Sequence, residues 1–499
     1  MARTATFPIT QTGRRRALAA LLATLALATA ACGSQLSPET VASVNGAPAP
    51  GGGVSTPGGG GVLDGSGPNG TLPGGPGSGS GDGAGTGTSA GNAPGAGGPT
   101  GDAPQGHGQN SSDGGTKAAS CNGFKNQTGI TDDKIVIANA SDISGPVPGI
   151  FESAQQATRA YAAYFNSTSD ICGRKLEVMA LDSRADAGAD QQAYAAACDK
   201  AFAGVGSMSA FDSGGAATAE GCGLPDLRSG MTTPERRACS TCFATQSLAT
   251  NLVPTALPKY WVGKDKEATQ HVAVLYVNVH AAEVNAKSFV EGWGRNGWNI
   301  DLVQGIDVSE FNYSPYVQQM KDDGIDFVVY LGPYQFTIRL QQAMQQQSFE
   351  PSVFLQDATI YDQRYVDQAG DAGDGSYVFS TTQLYDNVKI DEVALYRSWL
   401  NQISPGAIPD YAGLYAWSAT RLFVEQATAL GGQLTRSSLV AALGRVKDWT
   451  GNGIHAPQQI GAKTTASCTK VLQLKSGKWS QVSPGDFMCG SLVDTGIGG

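Results

Sequence analysis

The chain has 499 residues, which is more than one hydrophobic core usually needs, and charged residues make up 15% of it. Its formal net charge of −10 argues against a nucleic-acid-binding protein, which normally carries a basic face. After residue 31 no apolar stretch reaches the roughly 18 residues that a membrane-spanning helix needs, which argues against a helical integral membrane protein. Nine cysteines, together with the export signal described next, predict an oxidising compartment.

Residues 1–31 have the pattern of a secretory signal peptide. Three arginines at 14–16 precede an apolar run over 17–28, which is too short to span a membrane. The small residues Thr29, Ala30 and Ala31, followed by Cys32, resemble a bacterial lipobox, although Thr29 stands where that motif usually has Leu. We predict that Cys32 is lipidated and holds the protein on the outer face of the cell membrane. The alternative is an ordinary cleaved signal with an incidental cysteine.

Residues 32–120 form a segment rich in Gly, Pro and Ser, and no aromatic residue occurs between Phe7 and Phe124. Such a segment cannot bury enough apolar surface to offset its conformational entropy. The composition predicts a flexible tether with a span on the order of 50 Å. The alternative is a low-complexity tail without a spacing role, and neither interpretation places a site here.

From Cys121 onwards, strand-like and helix-like patterns alternate along the chain. Strands separated by helical stretches of about 10–15 residues predict βαβ units, that is, an α/β fold with parallel sheets. Some 370 residues are too many for one such sheet, so we expect two lobes. The predicted strands are 134–138, 176–181, 204–210, 224–229, 271–277, 325–331, 353–355 and 376–379, and the predicted helices are 150–165, 190–202, 284–294 and 334–347.

Several motifs over residues 134–478 occur in a recognisable order. They are the strand 135–138, Ser144-Gly145-Pro146, the segments 172–178 and 181–183, the loop 230–235, and the strand 326–332. Together they resemble the type I periplasmic binding proteins of the leucine/isoleucine/valine-binding class. The resemblance implies two doubly wound α/β lobes, joined by three crossing strands, with a ligand cleft between them. Lobe one is expected at 121–255 plus 380–460, lobe two at 256–379 plus 461–490, and a flexible tail at 491–499.

Members of that family capture a small molecule for an ABC importer. The resemblance therefore implies a monomeric, lipid-anchored binding protein for a small polar metabolite, such as an amino acid or an amide, with an ABC permease in the membrane as partner. No cofactor, metal or nucleic acid is expected. A sensor that presents the solute to a membrane receptor is an alternative, and an exported enzyme is another.

The family's loops at the strand ends imply the ligand contacts. The loops 212–215 and 232–235 follow predicted strands and have the form of helix N-termini, where free N–H groups bind polar heads. The alternatives are that Asp212 or Ser213 is only a helix cap, that Tyr334 only packs against its neighbours, and that Asp357 only belongs to a turn. Phe211 and Met231 replace smaller family residues, and no aromatic residue occurs at 280–282, so the pocket is expected to be less polar than that of an amino-acid binder. The candidate ligand residues are Ser144, Ala210, Phe211, Asp212, Ser213, Met231, Thr232, Thr233, Tyr334 and Asp357.

Known catalytic motifs are missing from the globular part. The four histidines lack zinc-enzyme spacing, and neither a phosphate-binding loop nor a Gly-x-Ser-x-Gly elbow occurs there. The single Cys239-x-x-Cys242 motif has no partner pair for zinc, so a short structural disulfide is the favoured interpretation. The sequence therefore favours a binding protein over an enzyme.

Eight cysteines remain after Cys32, and sequence alone allows 105 pairings of eight cysteines. The fold implied by the resemblance narrows them, because it places neighbouring strand starts, helix ends and a C-terminal hairpin together. The pairs expected on that basis are Cys121–Cys172, Cys198–Cys222, Cys239–Cys242 and Cys468–Cys489.

Overall fold

The computed structural model describes residues 118–498, and its first sheet consists of five parallel strands in the order β2-β1-β3-β4-β5. β1 lies between β2 and β3. Its Ile135 and Ile137 on one face and its Ala138 and Ala140 on the other are buried because helices cover both faces of the sheet. The strands β1 to β5 are Lys134–Ser141, Lys175–Asp182, Ala203–Val205, Asp226–Met231 and Cys242–Ser247.

Helices from two parts of the chain pack around this sheet to form lobe one. The longest, α11, is almost entirely buried, and its Trp417 packs edge-on against Tyr161 of α1 with ring centroids 4.7 Å apart. Asp410 caps α11 by accepting a hydrogen bond from Gly413 N. The helices are α1 Glu152–Thr168, α2 Ala187–Lys200, α3 Ala216–Gly221, α4 Pro234–Ala238, α10 Asp391–Ile403, α11 Tyr411–Leu430 and α12 Arg436–Leu443.

The second sheet has the order β13-β12-β11-β10-β9-β7-β8, and β14 pairs with β12. β7 to β11 run parallel to one another, whereas β12 is antiparallel to β11 and forms an antiparallel hairpin with β13. Ser476 and Gly477 close that hairpin with positive φ values of 51° and 71°. The strands are β7 Val272–Val277, β8 Ile300–Ile306, β9 Phe327–Leu331, β10 Val353–Gln356, β11 Tyr377–Ser380, β12 Cys468–Lys475, β13 Lys478–Gln481 and β14 Met488–Cys489.

Lobe two is completed by helices that cover the second sheet. β7 and β9 are buried along their whole length, as expected of central strands in a parallel sheet. The helices are α5 Ala256–Lys264, α6 His280–Gly294, α7 Ser314–Asp322, α8 Tyr334–Gln346 and α9 Gln363–Ala369. Short 3₁₀ turns occur at Ala268–Gln270, Ala358–Ile360, Gly370–Gly373 and Gly431–Gln433.

The chain passes between the lobes in three segments, 248–255, 381–390 and 444–467. The first segment contains β6, Leu252–Pro254, which pairs antiparallel with β15, Leu492–Asp494. The prediction of a flexible tail is therefore wrong for residues 491–498. Both strands gain hydrogen-bond partners for backbone groups that would otherwise need water.

The structure contains the four expected disulfides, which link Cys121 to Cys172, Cys198 to Cys222, Cys239 to Cys242, and Cys468 to Cys489. The expected α/β fold with two lobes is also confirmed. Between residues 118 and 498, no helix is both long and apolar enough to cross a membrane. The predicted signal peptide, Cys32 and the tether up to residue 117 lie outside the described residues. The last tether residues, 118–120, are instead bound to lobe one, where Gly432 N donates to Ser120 O at 2.8 Å.

Candidate functional site

A cavity of about 350 Å³ lies between the two lobes. Its walls include the loops that follow β1, β3 and β4 of lobe one and β7, β9 and β10 of lobe two, together with residues of the crossing segments. These loops all leave the carboxyl ends of parallel strands, which is where open α/β sheets bind ligands. The volume falls within the range of about 300–1,000 Å³ typical of small-molecule pockets.

Lobe two contributes an aromatic wall built on one face of α6. Ala281, Asn285, Phe289 and Trp293 follow one another at intervals of four residues, so they line up along the helix and border the cavity. Phe289 stacks on Trp293 with ring centroids 4.8 Å apart, and Phe379 of β11 packs edge-on against Phe289 at 5.8 Å. This wall presents ring surface to any ligand between the lobes.

Lobe one contributes a second, mostly apolar wall. Ile150 and Phe151 come from the segment just before α1, and Met208, Ala210 and Phe211 come from the loop after β3. Polar groups are sparse on this wall. Thr232 borders the cavity and its hydroxyl is buried without a hydrogen-bond partner among residues 118–498, and the amide of Gln246 lies on the neighbouring strand.

In the loops expected to hold the polar head of a ligand, the backbone N–H groups already donate to carboxylates of the protein itself. Asp212 is fully buried and accepts hydrogen bonds from Thr232 N at 2.8 Å, Thr233 N at 3.2 Å and the Thr233 hydroxyl at 2.5 Å. Thr233 is also the N-cap of α4, where its side chain accepts from Arg236 N. The N–H groups at this strand end are therefore already used within the protein.

The same arrangement occurs beside β1. Asp142 is fully buried and accepts from Ala210 N at 2.8 Å, Ala185 N at 2.8 Å and the Ser183 hydroxyl at 2.6 Å. Burial raises the pKa of the Asp142 carboxyl, and these hydrogen bonds oppose that shift. Ala210 and Ala185 border the cavity, so this carboxylate lies directly behind its wall.

One acidic residue, Asp357, lines the cavity. Asp357, at the end of β10, is partly buried and accepts from Thr359 N at 2.7 Å. Burial raises the pKa of this carboxyl from 3.8 to about 6, against the lowering effect of its bonds with Thr359. Tyr411 borders the same cavity, and burial, reinforced by the charge of Asp357, raises the pKa of its hydroxyl. The Tyr411 hydroxyl therefore stays neutral.

Of the candidate ligand residues, Ala210, Phe211, Thr232 and Asp357 border the cavity. Ser213 does not border it. The others lie behind or beside it for physical reasons that the contacts show. Ser144 donates to Asp182 at 2.6 Å, Met231 is buried in the sheet, and Tyr334 lies in a small separate pocket beside Arg364. Asp212 and Thr233 bind each other, as described above.

Sequence reasoning missed the residues of α6 that form the aromatic wall. The spacing of Ala281, Asn285, Phe289 and Trp293 was a usable signal, because side chains four apart share a helix face. It could not show that this face borders a cavity rather than the sheet. The aromatic residues that the sequence lacks at 280–282 are thus supplied two and three turns further along the same helix.

Residues 134–478 match the model of a known family, described as periplasmic binding protein. The match covers more than half of the chain. The chain belongs to the periplasmic binding protein family. The two-lobed fold and the cavity between its lobes agree with this membership.

Two curated relatives are named as binding proteins for branched-chain amino acids. The Leu/Ile/Val-binding protein of Escherichia coli (strain K12) is 28% identical over 220 residues, which are 42% of this chain and 57% of that protein. The chain thus matches just over half the length of this relative. The leucine-specific-binding protein of Salmonella typhimurium is 25% identical over 332 residues, 65% of this chain and 85% of that protein. These relatives are named as binding proteins and not as enzymes.

Solved structures share the fold. The fatty acid ABC transporter substrate-binding protein from Thermomonospora curvata has a TM-score of 0.63 at 15% identity, covering 76% of this chain and 96% of that one. At this identity the likeness shows the fold alone.

Proposed function

We propose that this protein is the solute-binding subunit of an ABC importer. One observation carries the proposal: a cavity of about 350 Å³ is bordered by both lobes of a periplasmic-binding-protein fold. A ligand in that place contacts both lobes at once, so its binding favours the closed arrangement over the open one. A closed, loaded state gives a permease a surface that differs from that of the empty protein.

The proposal includes a position outside the cell membrane. Cys32 is the proposed lipid attachment site, and residues 33–117 connect it to the folded part. The protein would then be held on the outer face of the membrane, within reach of the permease and free to turn. A monomer suffices for this role.

Binding is tested on the purified full-length chain with a library of amino acids, amides, amines, alcohols and aromatic acids. A true ligand at about a hundredfold excess over its Kd stabilises the folded state by about 2.7 kcal/mol, which thermal unfolding detects. Small-angle scattering measures closure as a decrease in the radius of gyration.

A cavity-filling variant makes the test specific. Ala282→Trp places a large ring in the cavity, and we expect it to abolish ligand-induced stabilisation. Lys287→Trp adds the same side chain to the exposed face of the same helix, and it should bind like the wild type. If no solute stabilises the wild type, or if both variants bind alike, the proposed function is wrong.

A further inference from the structure

The cavity between the lobes is elongated and reaches from the strand ends to the crossing segments. On α6 it borders Ala281 in the first turn and Trp293 near the helix end. About 18 Å of helix axis separates these two residues, at a rise of about 1.5 Å per residue. Near Trp293 it also borders Pro254 of the first crossing segment and Phe379 of β11. A ligand that contacts only the strand ends therefore leaves much of the cavity empty.

The far part of the cavity has apolar walls. Phe379 lies 5.8 Å from Phe289 and 6.3 Å from Trp293 between ring centroids, so the three rings form one cluster. Within residues 118–498, no charged side chain lines this part. We call it the hinge compartment and define it by the lining residues Pro254, Leu257, Phe289, Trp293 and Phe379.

Two hydroxyl groups beside the crossing segments are already hydrogen-bonded within the protein. Thr465 donates to the Ala249 carbonyl at 3.1 Å, and Thr469 donates to the Ser380 carbonyl at 3.0 Å. They therefore offer little to ordered water, which needs several polar partners. Phe289, by contrast, keeps part of its ring surface accessible. Such a space favours an apolar occupant over water.

Hydrogen-bond donors are available at the opposite end, where the strands stop. α6 begins after Val279 and α8 after Pro333, and neither helix has a side chain that caps its start. Both of these residues border the cavity, so backbone N–H groups of the two first turns lie beside it. On lobe one, the buried Thr232 hydroxyl lacks a partner among residues 118–498. A polar head that carries oxygen acceptors fits this end, whereas an apolar chain fits the other.

We propose that the cavity binds an amphipathic molecule whose extended apolar chain lies along α6 in the hinge compartment, while its oxygen-bearing head stays at the strand ends. This inference rests on the proposed function and names its ligand class. The rings recognise the chain, because covering apolar surface that water would otherwise contact is favourable. A leucine molecule leaves the hinge compartment unfilled and lacks most of this gain.

A chain-length series tests the inference. Isothermal titration of the full-length chain at neutral pH gives Kd values for butanol, hexanol, octanol and decanol and for the matching carboxylates, with leucine as comparison. In at least one of the two series, we expect each added methylene to tighten binding by about three- to fourfold until the chain reaches Trp293. The longest member of that series should bind at least about tenfold more tightly than leucine.

Two substitutions of Phe289 assign the chain to the hinge compartment. Phe289→Gln places an amide there, so it should weaken the ten-carbon ligand by at least about tenfold and the four-carbon ligand by less than about threefold. Phe289→Trp stays apolar but takes up space, so affinity should stop rising at a shorter chain than in the wild type.

The matched controls are the same two substitutions at Phe311. This residue is on the same lobe, is 56% exposed and does not border the cavity. Both control variants should bind the whole series like the wild type.

The outcomes separate this inference from the proposed function. Affinity that does not rise with chain length in either series overturns the inference alone, provided that another solute from the library binds. A rise that both Phe289 variants leave unchanged also overturns it, since the chain then lies elsewhere. If neither the series nor the library binds, the proposed function fails as well.

Discussion

Arg236 shows how single buried residues hold the cavity wall of lobe one. Its guanidinium contacts Asp190 at 2.8 Å and Asp226 at 3.0 Å, and its Nε donates to the Asp212 carbonyl at 2.6 Å. Arg236, Asp190 and Asp226 have no solvent-exposed side-chain surface. Arg236 thus links the carboxylates of Asp190 and Asp226 to the backbone of the loop that contains Asp212.

Replacing Arg236 with Met should lower the free energy of unfolding by about 3–5 kcal/mol, because it leaves Asp190 and Asp226 buried with a lost partner. Urea unfolding monitored by tryptophan fluorescence measures the change. The control is Arg445→Met at an exposed position, where we expect less than about 0.5 kcal/mol. Equal effects of the two substitutions would show that the buried network does not stabilise the fold.

His455 is a second buried residue with a measurable signature. Its Nε2 lies 2.8 Å from the Ser418 hydroxyl and its Nδ1 2.9 Å from the Ala456 carbonyl oxygen. Burial lowers the pKa of this imidazole from 6.5 to about 4. At a pH between about 4 and 6.5, this histidine therefore carries a proton in the unfolded chain but not in the folded chain. Its contribution to stability is lost as the pH falls from 6.5 towards 4.

The variant His455→Gln removes this titration. Between about pH 7 and pH 4.5, the wild type should lose about 2 kcal/mol more of its unfolding free energy than the variant does. Asp190, Asp357 and Asp410, whose pKa values burial raises to about 6, act in the opposite direction and are common to both proteins. Parallel pH profiles for the two proteins would contradict the assignment.

At the level of elements, the C-terminal strand β15 supports the first crossing segment. It pairs with β6, whose Pro254 borders the cavity. Beyond β15, the carbonyl of Gly498 accepts hydrogen bonds from Arg237 at 3.0 Å and Thr250 at 2.9 Å. The last residues of the chain thus hold one connection between the lobes in place.

Deleting residues 491–499 should lower the free energy of unfolding by about 2–4 kcal/mol, since several backbone and side-chain hydrogen bonds are lost at about 1 kcal/mol each. Ligand affinity should fall too, because β6, whose Pro254 borders the cavity, loses its partner strand β15. Deleting residues 51–100, within the predicted tether, is the control and should change neither quantity. A tail deletion as stable as the wild type would show that β15 contributes nothing to the fold.

At the scale of the whole molecule, the proposed anchor and the folded part have separate roles. The folded part contains the cavity and four disulfides, which suit an oxidising environment outside the cytoplasm. The proposed lipid on Cys32 would keep the protein near the proposed permease without contributing to ligand binding.

The variant Cys32→Ser should move the protein from the membrane fraction to the medium while the ligand affinity of the released protein stays unchanged. Immunoblotting of the two fractions measures the distribution, and Cys32→Ala should behave like the serine variant. Retention of both variants in the membrane would contradict lipid anchoring through this cysteine.

Part of the order of strands and helices followed from the sequence alone, because apolar periodicity and turn residues are local properties of the chain. The strands 134–138 and 325–331 were predicted close to β1 and β9 for this reason. The strands β5 and β8 and the helices α10 to α12 were not predicted. β15 was missed because three residues carry too little pattern, and only pairing with β6 makes them a strand. The disulfides depended on the fold that the family resemblance implied, since spacing leaves the pairings open.

The character of the cavity was decided by tertiary structure. Of the ten ligand contacts that the family resemblance implied, Ala210, Phe211, Thr232 and Asp357 border the cavity, because strand ends mark binding loops in this fold. That the Asp212 carboxylate binds the backbone N–H groups of Thr232 and Thr233, and that Phe289 and Trp293 border the cavity, depends on how loops and helices pack. A sequence names the charged and aromatic residues near a site, but which neighbours satisfy them is a property of contacts between residues distant in the chain.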